Sequence, residues 1–377
     1  RSRKSERLTS PPLLLTSISF SLIDETWTVM KYISHLWVPG ATLVVVATAA
    51  GVTSSASAPL RIDGLVAAVY SPFDSSGALN ISVVTAQHNY LASTGVGWVF
   101  VSGTTGESVS LTVDERKRLV EAWLKMRPNV IAHVGTDCLA DARELAAHAA
   151  QAGAKAVAAM PPSFFKPANA EALARTIASI CAAAPKLPCY YYHIPSMTGV
   201  EIAMMDFVLA IEPLSLNFAG VKYTGLYTHP GFMDAVRVLN YKSGKFEVLC
   251  GREEMMLEAL AVGIKGHVGS QFNFAGDLFN QIREPFAKEG LTASSSNALR
   301  ATQLRGIDLI SHWSDVGAAH PGVNVGKAFM NLAGVPVGDA RLPSLPLDVP
   351  TKEAAEAAFR AFCANAADAS PPLYMCR

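Results

Sequence analysis

Eight short apolar or β-branched runs, each followed by a longer segment rich in Ala, Leu and charge, recur from Leu65 onward. The runs are Leu65 to Val69, Trp98 to Val101, Val130 to Val134, Ala156 to Ala159, Cys189 to His193, Phe218 to Lys222, Phe246 to Cys250 and Gly266 to Val268. The pattern between them predicts helices over Thr112 to Met126, Asp137 to Ala152, Ala170 to Ala183, Pro230 to Asn240 and Glu253 to Val262. Eight strand-helix repeats over about 220 residues match the size and rhythm of an α/β fold of the (β/α)8 TIM barrel type. A doubly wound sheet needs fewer strands and follows its first strand with a glycine-rich phosphate loop. Tyr70-Ser71-Pro72-Phe73-Asp74 stands there instead.

Boundary chemistry supports this division. Thr112 followed by Glu115 is a capping box that opens a helix, and Gly153 closes the next one. After the last strand, Ala298 to Leu332 and Thr351 to Ala367 read as further helices around the proline-rich Leu342-Pro343-Ser344-Leu345-Pro346. The expected organisation is a non-catalytic segment over 1–58, a barrel over 59–295 and a C-terminal helical extension over 296–377. Arg1 is not a methionine and Met30 is the first candidate start. From Met30 a short charged start, an apolar stretch from Leu36 to Val52 and Ala56-Ser57-Ala58 have the layout of a secretory signal peptide over 30–58. A membrane anchor would need a longer run than this one, which Pro39 and Gly40 interrupt. The expected location is the secretory pathway or outside the cell if that leader acts, and the cytoplasm otherwise; in the former case Asn80-Ile81-Ser82 becomes a glycosylation sequon.

Lys plus Arg equals Asp plus Glu, 31 against 31, so there is no basic stripe for nucleic acid and no acidic tail. A small neutral or anionic substrate fits better. Half the residues are apolar (50%), enough for a large core and no second apolar span. Cys138, Cys181, Cys189, Cys250, Cys363 and Cys376 form no C-x-x-C pair, and a core of this size suggests mostly free, buried thiols.

In such a barrel the chemistry lies at the carboxyl ends of the strands. The fifth run supplies Tyr192 and the sixth ends in Lys222, with Thr224 beside it. An ammonium is costly to bury, so a lysine closing an apolar strand either snorkels outward or serves as an amine nucleophile. The second run leads into Gly103-Thr104-Thr105-Gly106-Glu107, whose two hydroxyls and backbone N–H groups suit a carboxylate. The seventh leads into Gly251-Arg252-Glu253-Glu254 and the eighth into Gly269-Ser270. Glu253 and Glu254 also fit an acidic first turn that complements a helix dipole. His133, His193 and His267 lack helical H-x-x-x-H spacing and read as structural rather than as metal ligands.

The ordered set Gly103-Thr104-Thr105-Gly106-Glu107, Tyr190-Tyr191-Tyr192-His193-Ile194-Pro195 and Gly220-Val221-Lys222 resembles the dihydrodipicolinate synthase/N-acetylneuraminate lyase family of class I pyruvate aldolases, over roughly Asp63 to Leu332. The resemblance implies catalytic roles for Lys222 as the imine-forming amine, Tyr192 in proton transfer and Thr105 in a proton relay. It implies that Thr104 and Thr105 bind the pyruvyl carboxylate, and that Thr224, Gly251, Glu253, Glu254 and Ser270 contact substrate. The expected reaction is reversible cleavage of N-acetylneuraminate to N-acetylmannosamine and pyruvate, with no cofactor beyond the covalent Lys222 imine, no metal, and a homotetramer as the working form. A phenol alone is a poor base at neutral pH, so the substrate carboxylate and hydroxyls enter the relay.

Departures within the family bear on the substrate. The synthase branch has an arginine where Met197 stands, and methionine cannot meet a second carboxylate. The lyase branch has aspartate where Glu253 stands, and the synthases have asparagine in place of His193. Pro162-Ser163-Phe164-Phe165 replaces a segment in which bacterial members carry tyrosines, one reaching a neighbouring subunit's site. The alternatives are another pyruvate aldolase, a dihydrodipicolinate synthase or a 2-keto-3-deoxy sugar acid aldolase, and a catalytically silent sugar-acid binding protein on the same fold.

Overall fold

The computed structural model describes residues 60–225, 231–317, 323–365 and 372–377. The expected leader over 30–58 lies outside the described residues. Eight parallel strands close into a barrel in chain order. They are β1 (Gly64–Ala68), β2 (Trp98–Val101), β3 (Val130–His133), β4 (Ala156–Ala159), β5 (Cys189–His193), β6 (Phe218–Tyr223), β7 (Glu247–Cys250) and β8 (Gly266–Gly269). β1 pairs with both β2 and β8, which closes the ring.

Two of the apolar runs overshoot the carboxyl ends of their strands by a residue, for one reason. Val69 and Val134 each make one further bond, Val69 N–H to Phe100 O at 3.2 Å and Val134 N–H to Ala158 O at 2.8 Å. They are buried like the strands although the ladder has ended. Alternation along each strand sorts two cores. Val66, Phe100, Ile131, Tyr190, Tyr192 and Leu249 fill the barrel. Their neighbours, such as Val99, Val101, Tyr191 and Val221, face the surrounding helices.

The helices follow the amphipathic segments. Val113–Met126 opens on the expected capping box, with Thr112 Oγ1 accepting from Glu115 N–H at 3.2 Å and Glu115 Oε2 accepting from Thr112 N–H at 2.9 Å. Leu139–Ala152 ends at Gly153, which adopts the left-handed φ of 94°. That helix starts two residues later than the sequence pattern predicts. The Asp137 carboxylate is drawn instead to the loop after β4, where it accepts from Ser163 N–H at 2.5 Å and Phe164 N–H at 3.3 Å. Val84–Ser93 and Phe272–Glu289 complete the alternation.

Ser296–Gly317, Asn324–Leu332 and Val349–Asn365 form the C-terminal extension. Phe329 packs on Phe274 of the last barrel helix with ring centres 5.6 Å apart. No helix among the described residues is long and apolar enough to cross a membrane.

The cysteines correct the expectation of mostly free thiols. Cys181 pairs with Cys189 and Cys363 with Cys376, with Cα atoms 5.6 and 5.3 Å apart. Of the remaining two, Cys138 is exposed and Cys250 buried. The first bridge joins the end of one helix to the start of β5, which the chain brings together by folding back on itself. Each bridge closes a short loop and is worth about 2–3 kcal/mol of chain entropy.

Candidate active site

Tyr192 and Lys222 are register partners on adjacent strands and both point into the barrel. Lys222 is 4% exposed, so it does not snorkel to the surface. Its Nζ lies 3.8 Å from the centre of the Tyr192 ring and 4.3 Å from that of Phe100. Two aromatic rings thus flank a buried amine, an arrangement in which the ring quadrupoles attract a cation.

Gly251 packs beside the Lys222 stem. A Cβ there would lie 2.7 Å from Tyr223 O, 2.8 Å from Thr224 Oγ1 and 3.2 Å from Lys222 Cε. Tyr223 O cannot retreat, because it accepts the Gly251 N–H at 2.7 Å. Gly251→Ala is therefore expected to push the lysine stem aside and lower kcat roughly 10- to 100-fold with the fold kept, as steady-state kinetics beside a thermal melt would show. Thr224 stands next to this glycine, and its buried Oγ1 has no hydrogen-bond partner among the described residues. Segment 226–230, which follows, lies outside the described residues.

The loop after β2 supplies the hydroxyls. Thr104 Oγ1 and the Tyr192 hydroxyl are 3.3 Å apart, and Thr105 Oγ1 lies 2.7 Å from Ser270 Oγ. The second contact ties the loop after β2 to the loop after β8 across the mouth of the barrel. Ser71 Oγ donates to Gly106 O at 2.6 Å and anchors the same loop to the segment after β1. Thr104, Thr105, Ser270, Tyr192, Lys222, Thr224 and Gly251 are therefore linked by contact at one end of the barrel.

Glu253 and Glu254 differ from each other. Glu253 is buried, and its Oε1 accepts the Gln271 N–H at 3.1 Å where the last barrel helix begins. Gly269 makes room for it, since a Cβ there would sit 2.4 Å from Glu253 Cγ. Glu254 turns toward Arg252, 3.6 Å away. Burial first, and the Glu254 charge second, raise the Glu253 carboxyl to about 7.

A raised carboxyl favours the fold while protonated, so its contribution is largest below about pH 4.5 and declines as pH climbs through about 7. Glu253→Gln is expected to flatten the pH dependence of stability across that window by on the order of 2–3 kcal/mol, read from denaturant melts at each pH.

His133 faces the barrel interior, whereas His193 and His267 lie one step out of phase and face the helices. Burial lowers His193 to about 4 and His267 to about 3. Among the described residues no group of three His, Cys, Asp or Glu side chains is placed to hold a metal ion. Met197 lies on the turn after β5 and is 63% exposed. Phe164 and Phe165, after β4, are 79% and 85% exposed.

Sequence reasoning did not single out Phe100, although strand alternation places it inward, two residues before Ser102. It also assigned no role to Glu107 beyond its motif. That side chain is buried, and its Oε1 lies 2.7 Å from Lys327 Nζ of the C-terminal extension.

Residues 61–362 match the family model described as the dihydrodipicolinate synthetase family. An N-acetylneuraminate lyase of Danio rerio is 39% identical over 301 residues, covering 78% of this chain and 94% of that relative. The solved N-acetylneuraminate lyase (sialic acid aldolase) of Aliivibrio salmonicida superimposes with a TM-score of 0.73 at 34% identity, covering 80% of this chain and 97% of that one. A structure of a Ruminococcus gnavus sialic acid aldolase, a catalytic lysine mutant, superimposes with a TM-score of 0.71 at 25% identity, covering 80% and 96%.

Proposed function

Because the chain belongs to the dihydrodipicolinate synthetase family, whose lyase members are its close relatives, we propose that it is an N-acetylneuraminate lyase working through an imine on Lys222. The observation that carries this reading is the buried amine of Lys222 beside the Tyr192 ring, with the hydroxyl pair Thr104 and Thr105 at the same end of the barrel. The Ruminococcus gnavus relative, whose catalytic residue is a lysine, supports the assignment.

The Lys222 amine adds to the C2 ketone of the open-chain sugar acid and water leaves, giving a protonated imine. The C4 hydroxyl loses its proton, C3–C4 breaks, and the bond's electron pair moves into the imine to form an enamine while N-acetylmannosamine departs as the aldehyde. Protonation at C3 and addition of water then release pyruvate and restore the amine. Thr104 and Thr105 hold the carboxylate, and the Tyr192 hydroxyl, 3.3 Å from Thr104 Oγ1, passes the proton with the substrate's own oxygens. Thr224, Gly251, Glu253, Glu254 and Ser270 surround the rest of the sugar acid.

The proposal includes a homotetramer, with Phe164 and Phe165 exposed where the resemblance places subunit-facing aromatics. It also includes a secretory route, which two disulfides in the described chain favour. The test is product analysis: incubation with N-acetylneuraminate, and condensation of pyruvate with N-acetylmannosamine, aspartate semialdehyde and a sugar aldehyde. A kcat/KM for N-acetylneuraminate at least about 100-fold above the competing reactions is expected. Preference for aspartate semialdehyde or for a 2-keto-3-deoxy sugar acid would move the chain to another branch of the family.

A further inference from the structure

His133 stands at the end of β3, is 1% exposed and has both ring nitrogens committed. Nδ1 lies 2.8 Å from Ser102 O, and Nε2 accepts the Met160 N–H at 3.3 Å. A carbonyl only accepts and an amide N–H only donates, so the proton must sit on Nδ1. Arg116, itself buried, approaches Nδ1 at 3.4 Å but makes its strong bonds elsewhere, to His133 O at 2.8 Å and Gly135 O at 3.1 Å. Burial and the neighbouring Arg116 hold the ring well below the ordinary histidine range, as does the nearby Lys222 charge. The imidazole is thus a neutral, fixed hydrogen-bond donor.

What it holds is the start of the hydroxyl loop. Ser102 has a φ of 57°, a left-handed conformation that non-glycine residues rarely adopt and that a surrounding structure must impose. Thr104 and Thr105 follow within three residues, so the direction of both hydroxyls depends on that turn. The imidazole also packs against the two rings that flank Lys222, with its ring centre 5.7 Å from that of Tyr192 at 90° and 5.8 Å from that of Phe100.

We propose that His133 is a positioning residue for the carboxylate cradle, locking Ser102 in its left-handed turn and bracing Tyr192, without touching substrate or moving a proton. The proposal rests on the aldolase reading above. It gives a structural histidine a defined effect on substrate affinity, separable from the chemical step.

The test compares His133→Phe, His133→Asn and Ser102→Gly/His133→Phe. Phenylalanine keeps the ring against Tyr192 and removes the donor. Asparagine keeps an N–H near the Nδ1 position. Glycine takes a positive φ freely and relieves the need for a clamp. His133→Phe is expected to raise the KM for the sugar acid and for pyruvate roughly 10- to 100-fold with kcat changed by less than about threefold. His133→Asn and the double variant should recover most of that loss, and the pH–rate profile of His133→Asn should match wild type.

Hydrogen exchange of the 102–107 amides should quicken in His133→Phe and return toward wild type in His133→Asn, a readout that needs no activity. A kcat loss at unchanged KM, a missing limb in the pH profile, or variants indistinguishable from wild type would overturn the role. Wild type that traps no pyruvate on borohydride reduction would overturn the aldolase reading instead, and the exchange rates would still decide the part played by His133.

Discussion

Lys222→Ala is expected to lose cleavage activity by on the order of 10⁵-fold or more, with the barrel intact by circular dichroism. The size of the effect follows from what is removed. Without the amine there is no imine, and so no electron sink for the C3–C4 bond. Alanine also empties the space between the Phe100 and Tyr192 rings, so part of any loss could reflect repacking. Lys222→Arg separates the two effects. A guanidinium keeps the positive charge over the same aromatic faces but does not form the imine. Equal loss in both variants assigns the rate to covalent chemistry, and retention of more than about 1% of wild-type kcat by arginine would assign it to charge.

Lys327→Met is expected to destabilise the protein by about 3–5 kcal/mol, the cost of leaving a buried carboxylate unpaired. Lys327 is 0% exposed and its Nζ meets Glu107 Oε1 at 2.7 Å, Asp339 O at 3.0 Å and the face of Phe73 at 4.2 Å. Burial pulls the lysine below its ordinary range while the Glu107 carboxylate opposes that shift. The other carboxylate oxygen, Glu107 Oε2, accepts the Arg341 N–H at 2.9 Å.

Glu107 ends the hydroxyl loop with a φ of 54°, so the C-terminal extension holds the far end of the segment whose near end His133 holds. Methionine keeps most of the apolar stem and removes the charge together with the bonds to Glu107 and Asp339 O. The apparent melting temperature should fall by roughly 5–15 °C, and the KM for pyruvate should rise. Lys327→Met combined with Glu107→Gln should recover part of the stability, since no unpaired charge then remains, while the loop stays misplaced and KM high. Full recovery of KM in the double variant would show that the extension does not position the loop.

The fold was legible because barrel strands are covered on both faces and read as nearly unbroken apolar runs. Leu43 to Val46 is equally apolar, and only its flanks distinguish it as leader-like. Strand ends were less legible, since Val69 and Val134 are as buried as the residues that make the ladder. The start of the helix after β3 was misplaced because Asp137, a good first-turn residue, is spent on Ser163 in the next loop.

Lys222, Tyr192, Thr104 and Thr105 were legible because the barrel topology directs attention to strand ends and these residues stand there in order. The disulfide pairs carried no local signature, being set by where the chain folds back. The Glu107–Lys327 pair joins segments far apart in the chain, and no periodicity connects them. His133 was read as structural on its spacing. Its consequence came from one carbonyl, that of Ser102, whose left-handed turn no composition or pattern reveals.

The most direct measurement is borohydride reduction in the presence of pyruvate, followed by peptide mass mapping, on wild type and Lys222→Ala, with N-acetylneuraminate cleavage assayed on the same preparations. The expected result is a reduced pyruvyl adduct on the peptide carrying Lys222 in wild type, none in the variant, and release of N-acetylmannosamine only where the adduct forms. Cleavage by wild type with no trapped adduct, or an adduct on another lysine, would contradict the mechanism.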